Sequence, residues 1–261
     1  MRFWILHMFC LLAVVPQGFA AQVVLFDEGH GQPFHVRGNG SLDLSQLAER
    51  FATNGFEVRT TTSPLDDESL DGVTALVISG AFRPFSSGEL AAVQTFLNEG
   101  GNLAVMLHIA PPLGSVLELL KVDYANGILH DGSRAIDNNP QYIRVGQLAS
   151  HPLTEGLVDF AVYGCWALRG TAPPVEPVAW TSVQGWVDLV PDGQLGSGDA
   201  RGPFAVAVAG HAATGRYVVF GDDAIFQNRF LIDSNRHLAD NLVRWLSRGK
   251  SYDQMELKLH N

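Results

Sequence analysis

Hydrophobic and polar positions alternate between two periods over the first 120 residues. Residues 22–26 form a continuous apolar run closed by Asp27-Glu28-Gly29-His30-Gly31. Apolar character on both faces marks a parallel strand covered by helices. Ser41-Leu42-Asp43-Leu44 then opens a helix, with Leu44, Leu47, Ala48 and Phe51 at helical spacing and Asn54-Gly55 as its stop. Residues 56–61 read as a second strand, 64–71 as an acidic connector and 73–79 as a third strand closed by Gly80. Ser86-Ser87-Gly88-Glu89 has the form of a capping box, ahead of a stripe of Leu90, Val93, Phe96 and Leu97. Residues 103–107 make a fourth strand closed by His108, and 111–120 a short helix.

The pattern loosens after that. Residues 123–150 are rich in Asn, Asp and Gly, which predicts loops with short strands, and 171–177 is a Pro-rich connector. Residues 204–209 and 216–220 read as two strands joined by a Gly-containing turn, an antiparallel addition late in the chain. Leu238, Leu242 and Trp245 share one face of a closing helix over 235–246. Alternating strands and helices predict right-handed crossovers and an open, mainly parallel α/β sheet with helices on both faces. Residues 21–248 are expected to form a single domain, and 249–261 a flexible polar tail.

The first residues change the picture of location. Arg2, the apolar residues 3–15 interrupted by His7, Pro16, and small residues Gly18 and Ala20 have the form of a secretion signal over residues 1–20. The run is too short for a spanning helix, which needs roughly 20 apolar residues. A periplasmic or secreted protein with no membrane span after cleavage is expected. Of the two cysteines, Cys10 leaves with the signal, so Cys165 has no partner within the chain and reads as a small buried hydrophobe. The formal charge of the 261-residue chain is −10, without a basic cluster, which disfavours nucleic acid.

Ligands of open parallel sheets bind beyond the carboxyl ends of the strands. Asp27, Glu28 and His30 follow the first strand, with His35 nearby; His108 follows the fourth, and Asp222 and Asp223 follow residues 216–220. Carboxylates and imidazoles sharing a cleft can exchange protons or hold a polar ligand. Each also has a plainer use, in capping loops and filling core positions. No HExxH, CxxC, phosphate-binding or Gly-x-Ser-x-Gly motif occurs, so neither a cofactor nor a metal is expected.

Several segments together resemble the class I glutamine amidotransferase-like superfamily, in particular exported domains similar to those of gliding-motility-type transporter auxiliary proteins. They are Val24 through Phe34; Phe85-Ser86-Ser87-Gly88-Glu89-Leu90 through Leu103; His151-Pro152-Leu153-Thr154-Glu155-Gly156; and Gly215 through Phe226, with Asn228, Asn235, Asn241 and Trp245 beyond. The resemblance implies a flavodoxin-like fold. Where those enzymes carry a nucleophilic Cys, this chain has Leu107-His108-Ile109-Ala110-Pro111, so glutamine hydrolysis is not expected.

Three readings follow. In the first, the chain is a non-catalytic module binding a small polar ligand, a carbohydrate or a partner protein at the rim. In the second, it is an extracytoplasmic hydrolase using Asp27, Glu28, His30, His108 and Asp222, with or without a metal. In the third, it is a subunit of an envelope complex, with Trp166, Trp180 and Trp186 forming an exposed patch. All three share the exported location. Mass spectrometry of the protein recovered outside the cytoplasm is expected to find Ala21 at its N-terminus; a product retaining Arg2 would contradict the cleavage.

Overall fold

Short apolar strands alternating with capped helices build the first half of the fold. The computed structural model describes residues 22–247, so the expected signal and the expected tail lie outside the described residues. Strands β1 (Gln22–Asp27), β2 (Phe56–Thr61), β3 (Ala75–Ser79) and β4 (Asn102–Met106) are separated by helices α1 (Ser45–Thr53), α2 (Asp67–Leu70) and α3 (Ser87–Asn98). The capping box of α3 forms as its sequence predicts: the Ser86 hydroxyl accepts from the Glu89 N–H, and the Glu89 carboxylate accepts from the Ser86 N–H.

After α4 (Gly114–Leu119) the chain becomes rich in strands: β5 (Val122–His130), β6 (Ala135–Ile136), β7 (Asn139–Val145), β8 (Gln147–Leu148), β9 (Phe160–Tyr163), β10 (Trp166–Gly170), β11 (Glu176–Trp180), β12 (Trp186–Asp188), β13 (Ala200–Arg201), β14 (Ala205–Ala212) and β15 (Gly215–Phe220). Helix α5 (Asp233–Leu246) closes the described chain. Twelve strands form one mixed sheet, in the order β13, β12, β5, β10, β14, β15, β4, β3, β1, β2, with β11 paired to β14 and β8 to β11. Strands β2, β1, β3, β4 and β15 are mutually parallel, and β14, β10, β5, β12 and β13 continue the sheet antiparallel. A separate three-stranded sheet joins β6, β7 and β9.

The alternation of side chains along the parallel strands sorts them into two cores. Val24, Phe26, Val77, Met106 and Phe220 join Leu47 and Phe51 of α1 and Leu238 and Leu242 of α5. Leu25, Leu76, Ile78, Val105 and Val219 join Val93 and Leu97 of α3 and Leu117 of α4. Each fully buried side chain of this size contributes roughly 1.5–3 kcal/mol. Among the described residues no helix is long and apolar enough to cross a membrane.

Four expectations need correction. The sheet is mixed rather than mainly parallel, and its antiparallel part begins at β5, not late in the chain. Where loops with short strands were expected over 123–150, a nine-residue strand, Val122–His130, and a seven-residue strand, Asn139–Val145, are found. Their polar composition reflects half-exposed faces, and Gly127 is required by a close approach: a Cβ there would lie 2.2 Å from the Asp188 carbonyl oxygen. Strand β15 pairs with β14 as expected but sits inside the parallel block, against β4. The tryptophans form no exposed patch: Trp166 is buried, and Trp186 stacks on His130 with ring centroids 4.2 Å apart.

Candidate functional site

The parallel register places the ends of β1, β3, β4 and β15 on one rim. The polar residues there divide into separate groups. Asp27, at the end of β1, is buried, and one of its oxygens accepts from Gln32 Nε2 and lies 2.8 Å from His30 Nδ1. His30 Nε2 lies 3.0 Å from Glu89, and the His30 ring stacks on Phe85 at 3.6 Å. Glu89 also accepts from the backbone N–H groups of Leu65 and Ser86. Burial opposes a charge on His30, but the hydrogen bond and field of Asp27, joined by Glu89, outweigh it and raise the imidazole pKa. This network is closed, with both imidazole nitrogens engaged by carboxylates.

Glu28 and His35 form a second group. Glu28 accepts from the Val36 N–H at 2.8 Å and lies 3.4 Å from His35 Nδ1. They brace the loop that carries Phe34 toward the rim.

His108 and Asp223 form the third. Asp223 is buried, and its Oδ1 lies 3.1 Å from Nδ1 of the exposed His108. The hydrogen bond to Asp223 raises the His108 pKa, burial works against it, and the fields of Asp223 and Asp222 add to the rise. Phe82 and Phe34 flank the ring, with centroids at 5.2 and 5.6 Å. Asp223 Oδ2 is buried without a hydrogen-bond partner among the described residues and lies beside Gly80, where φ is +64° and a Cβ would lie 2.6 Å from it. Only glycine fits that position.

Asp222 turns the other way. Its oxygens accept from the N–H groups of Tyr163 and Ala224. Complete burial and the neighbouring Asp223 push its carboxyl up to about 7, against the pull of those two N–H groups and His108. Cys165 is buried, and burial, with a lesser push from Asp222, carries its thiol well above the usual range, which makes it an inert core residue.

The sequence-predicted residues therefore share a rim without meeting at a point. Among the described residues no group of three His, Cys, Asp or Glu side chains could hold a metal ion. Sequence reasoning missed what lies beyond Asp222: a cavity of about 290 Å³ lined by Tyr142, Tyr163 and Phe230, with Arg144, Asp137 and Asp233 among its polar groups. Tyr163 stacks on Phe230 at 4.0 Å, and Tyr142 meets Tyr163 edge-on at 5.3 Å. These residues come from β7, β9 and the loop after β15, so no local spacing announces them.

Because folding raises the His30 pKa, the folded state keeps a proton that the unfolded chain releases above about pH 6.5. The stabilisation is present in full below that pH and is lost as pH rises through the higher folded value; His108 acts in the same direction. Urea unfolding across pH 5–9 is expected to show stability falling with a slope of up to about 1.4 kcal/mol per pH unit per proton. His30→Gln is expected to flatten that slope; an unchanged slope would contradict the charged assignment.

Three solved structures share the fold. The mmIFT52 N-terminal domain superposes with a TM-score of 0.70 at 16% identity, covering 88% of this chain and 99% of that one. A cytoplasmic protein from Salmonella typhimurium gives 0.57 at 13% identity, covering 87% and 100%. A ThuA-like protein from Bacteroides uniformis gives 0.53 at 18% identity, covering 91% and 97%. Identities this low speak for the fold alone. No curated protein matches the chain. The expected membership of the class I glutamine amidotransferase-like superfamily is corrected by these findings, since the sheet is a twelve-stranded mixed one and the matching family is a different one. That family is described as Domain of unknown function (DUF4350), and its match runs over residues 33–243. The chain belongs to the DUF4350 family.

Proposed function

We propose that this protein is an exported binding module that holds a small polar ligand of carbohydrate type beside the rim of its parallel strands. The five parallel strands with their helices serve as a flavodoxin-like core, and the antiparallel strands supply one wall of the site. The observation that carries the reading is the aromatic cleft of Tyr142, Tyr163 and Phe230. Aromatic faces pack against the C–H surface of a sugar ring, while Arg144, Asp137 and Asp233 offer donors and acceptors to its hydroxyls. A concave site of about this size with a few polar groups among rings is the usual form of a small-molecule site. Backbone conformation adds support: Asp233 adopts φ of +45°, and such strained residues collect at ligand sites.

The His108–Asp223 pair favours a second reading, a hydrolase. A carboxylate that orients an imidazole through Nδ1 leaves Nε2 to move a proton.

Saturation-transfer NMR with a mixture of maltose, cellobiose and chitobiose separates the two. The binding reading expects at least one disaccharide to bind without being cleaved. Phe230→Ala is expected to weaken it by about tenfold or more, or 1.4 kcal/mol, with His108→Ala within about twofold of the parent. Cleavage abolished by His108→Ala would favour the hydrolase. No binding, or binding indifferent to Phe230→Ala, would overturn the site.

A further inference from the structure

A second cavity, of about 220 Å³, lies at the opposite end of the sheet, where β11 and β14 meet the last turn of α5. Its position follows from pairing: Gly210 and His211 of β14 lie beside Tyr217 and Arg216 at the start of β15, and Asn102 at the start of β4 binds the Leu246 carbonyl. The rim residues above take no part in it.

One hydrogen-bond donor of this cavity is buried without an acceptor among the described residues, and a second lies beside it. Trp245 is 7% exposed, and its indole Nε1 is buried with no partner among the described residues. An indole nitrogen can only donate. His151 lies beside it, ring centroids 4.7 Å apart. Its Nδ1 accepts from the Leu153 N–H at 3.1 Å, which places the ring proton on Nε2. Burial, with His211 nearby, lowers the His151 pKa to about 4, so the ring stays a neutral donor. Buried donors are nearly always satisfied, and the Trp245 Nε1–H beside this cavity needs an acceptor that the described residues do not supply.

The walls select the class of acceptor. Pro174, Pro177, Val178 and Ala209 offer apolar surface. The Arg216 guanidinium lies 4.8 Å over the Trp245 ring and places a positive charge near the indole. Glu176 is exposed at the edge, where water screens its charge. The volume matches about seven water molecules at liquid density, enough for a short organic acid.

We infer that this cavity binds a small aliphatic carboxylate, its oxygens accepting from Trp245 Nε1 and His151 Nε2 and its carbon chain lying against the proline wall. The site is independent of the aromatic cleft, and either can fail without the other.

The test follows the Trp245 indole resonance, assigned by Trp245→Phe, in ¹H–¹⁵N spectra of the whole protein during titration with butyrate and, separately, with butyramide. Butyrate is expected to move it saturably, and butyramide to bind about tenfold more weakly or worse. Trp245→Phe keeps the ring and removes the donor, so calorimetry is expected to read a loss of about tenfold in butyrate affinity. Should that variant unfold, His151→Phe is expected to give a comparable loss. An indole resonance indifferent to butyrate, or equally responsive to butyramide, would overturn the proposal.

Discussion

Two adjacent carboxylates, Asp222 and Asp223, organise everything else at the rim. They follow β15, and each is more than nine-tenths buried. The chain leaves β15 and enters a short 3-10 turn over Ala224–Phe226, with helical dihedrals at Asp223, so the two side chains depart in different directions. Asp223 therefore reaches across to His108 beyond β4, while Asp222 reaches the N–H groups of Tyr163 and Ala224. Burying two like charges side by side is unfavourable, and the strain appears as the raised carboxyl of Asp222. Hydrogen bonds on both sides offset that burial. In consequence this dipeptide ties the parallel block to the three-stranded sheet, beside the bonds from Asn235 to Ala161 and from the Trp166 N–H to the Gly221 carbonyl.

The other half of the rim behaves differently. Asp27, His30 and Glu89 saturate one another, and Phe85 covers the imidazole. Such a closed set ties the end of β1 to the first turn of α3. Breaking one partner of a buried ionic set costs about 3–5 kcal/mol, because the remaining charge is left uncompensated. Its role is therefore to hold shape, and the groups able to meet a ligand are His108 and the aromatic cleft beyond Asp222.

Much of the first half was legible in the sequence. The apolar runs ending in polar residues mark β1, β3 and β4, and Ser86 with Glu89 announces the start of α3. The rim positions of Asp27, His108 and Asp222 follow from the rule that loops leave a parallel strand at its carboxyl end. Partnership was not legible. Glu89 reads as a capping residue, yet its second oxygen engages His30 from 59 positions away. Tyr142, Tyr163 and Phe230 meet only because β7 pairs with β9 and the loop after β15 packs on both. Strand β5 was hidden because its face is half-exposed and Gly127 answers to the backbone of β12. The resemblance that pointed to an amidotransferase-like family rested on short segments at strand ends, one helix and the turn at His151–Gly156, which do not fix the order of the strands.

The central claim is that the Asp222 carboxylate fastens Tyr163 of the aromatic wall to the rim. Amide hydrogen exchange at Tyr163, compared between Asp222→Asn and Asp223→Asn, tests it most directly. Protection at Tyr163 should fall by about tenfold or more in Asp222→Asn and stay near the parent value in Asp223→Asn. Equal protection in both variants, or equal loss in both, would contradict the account.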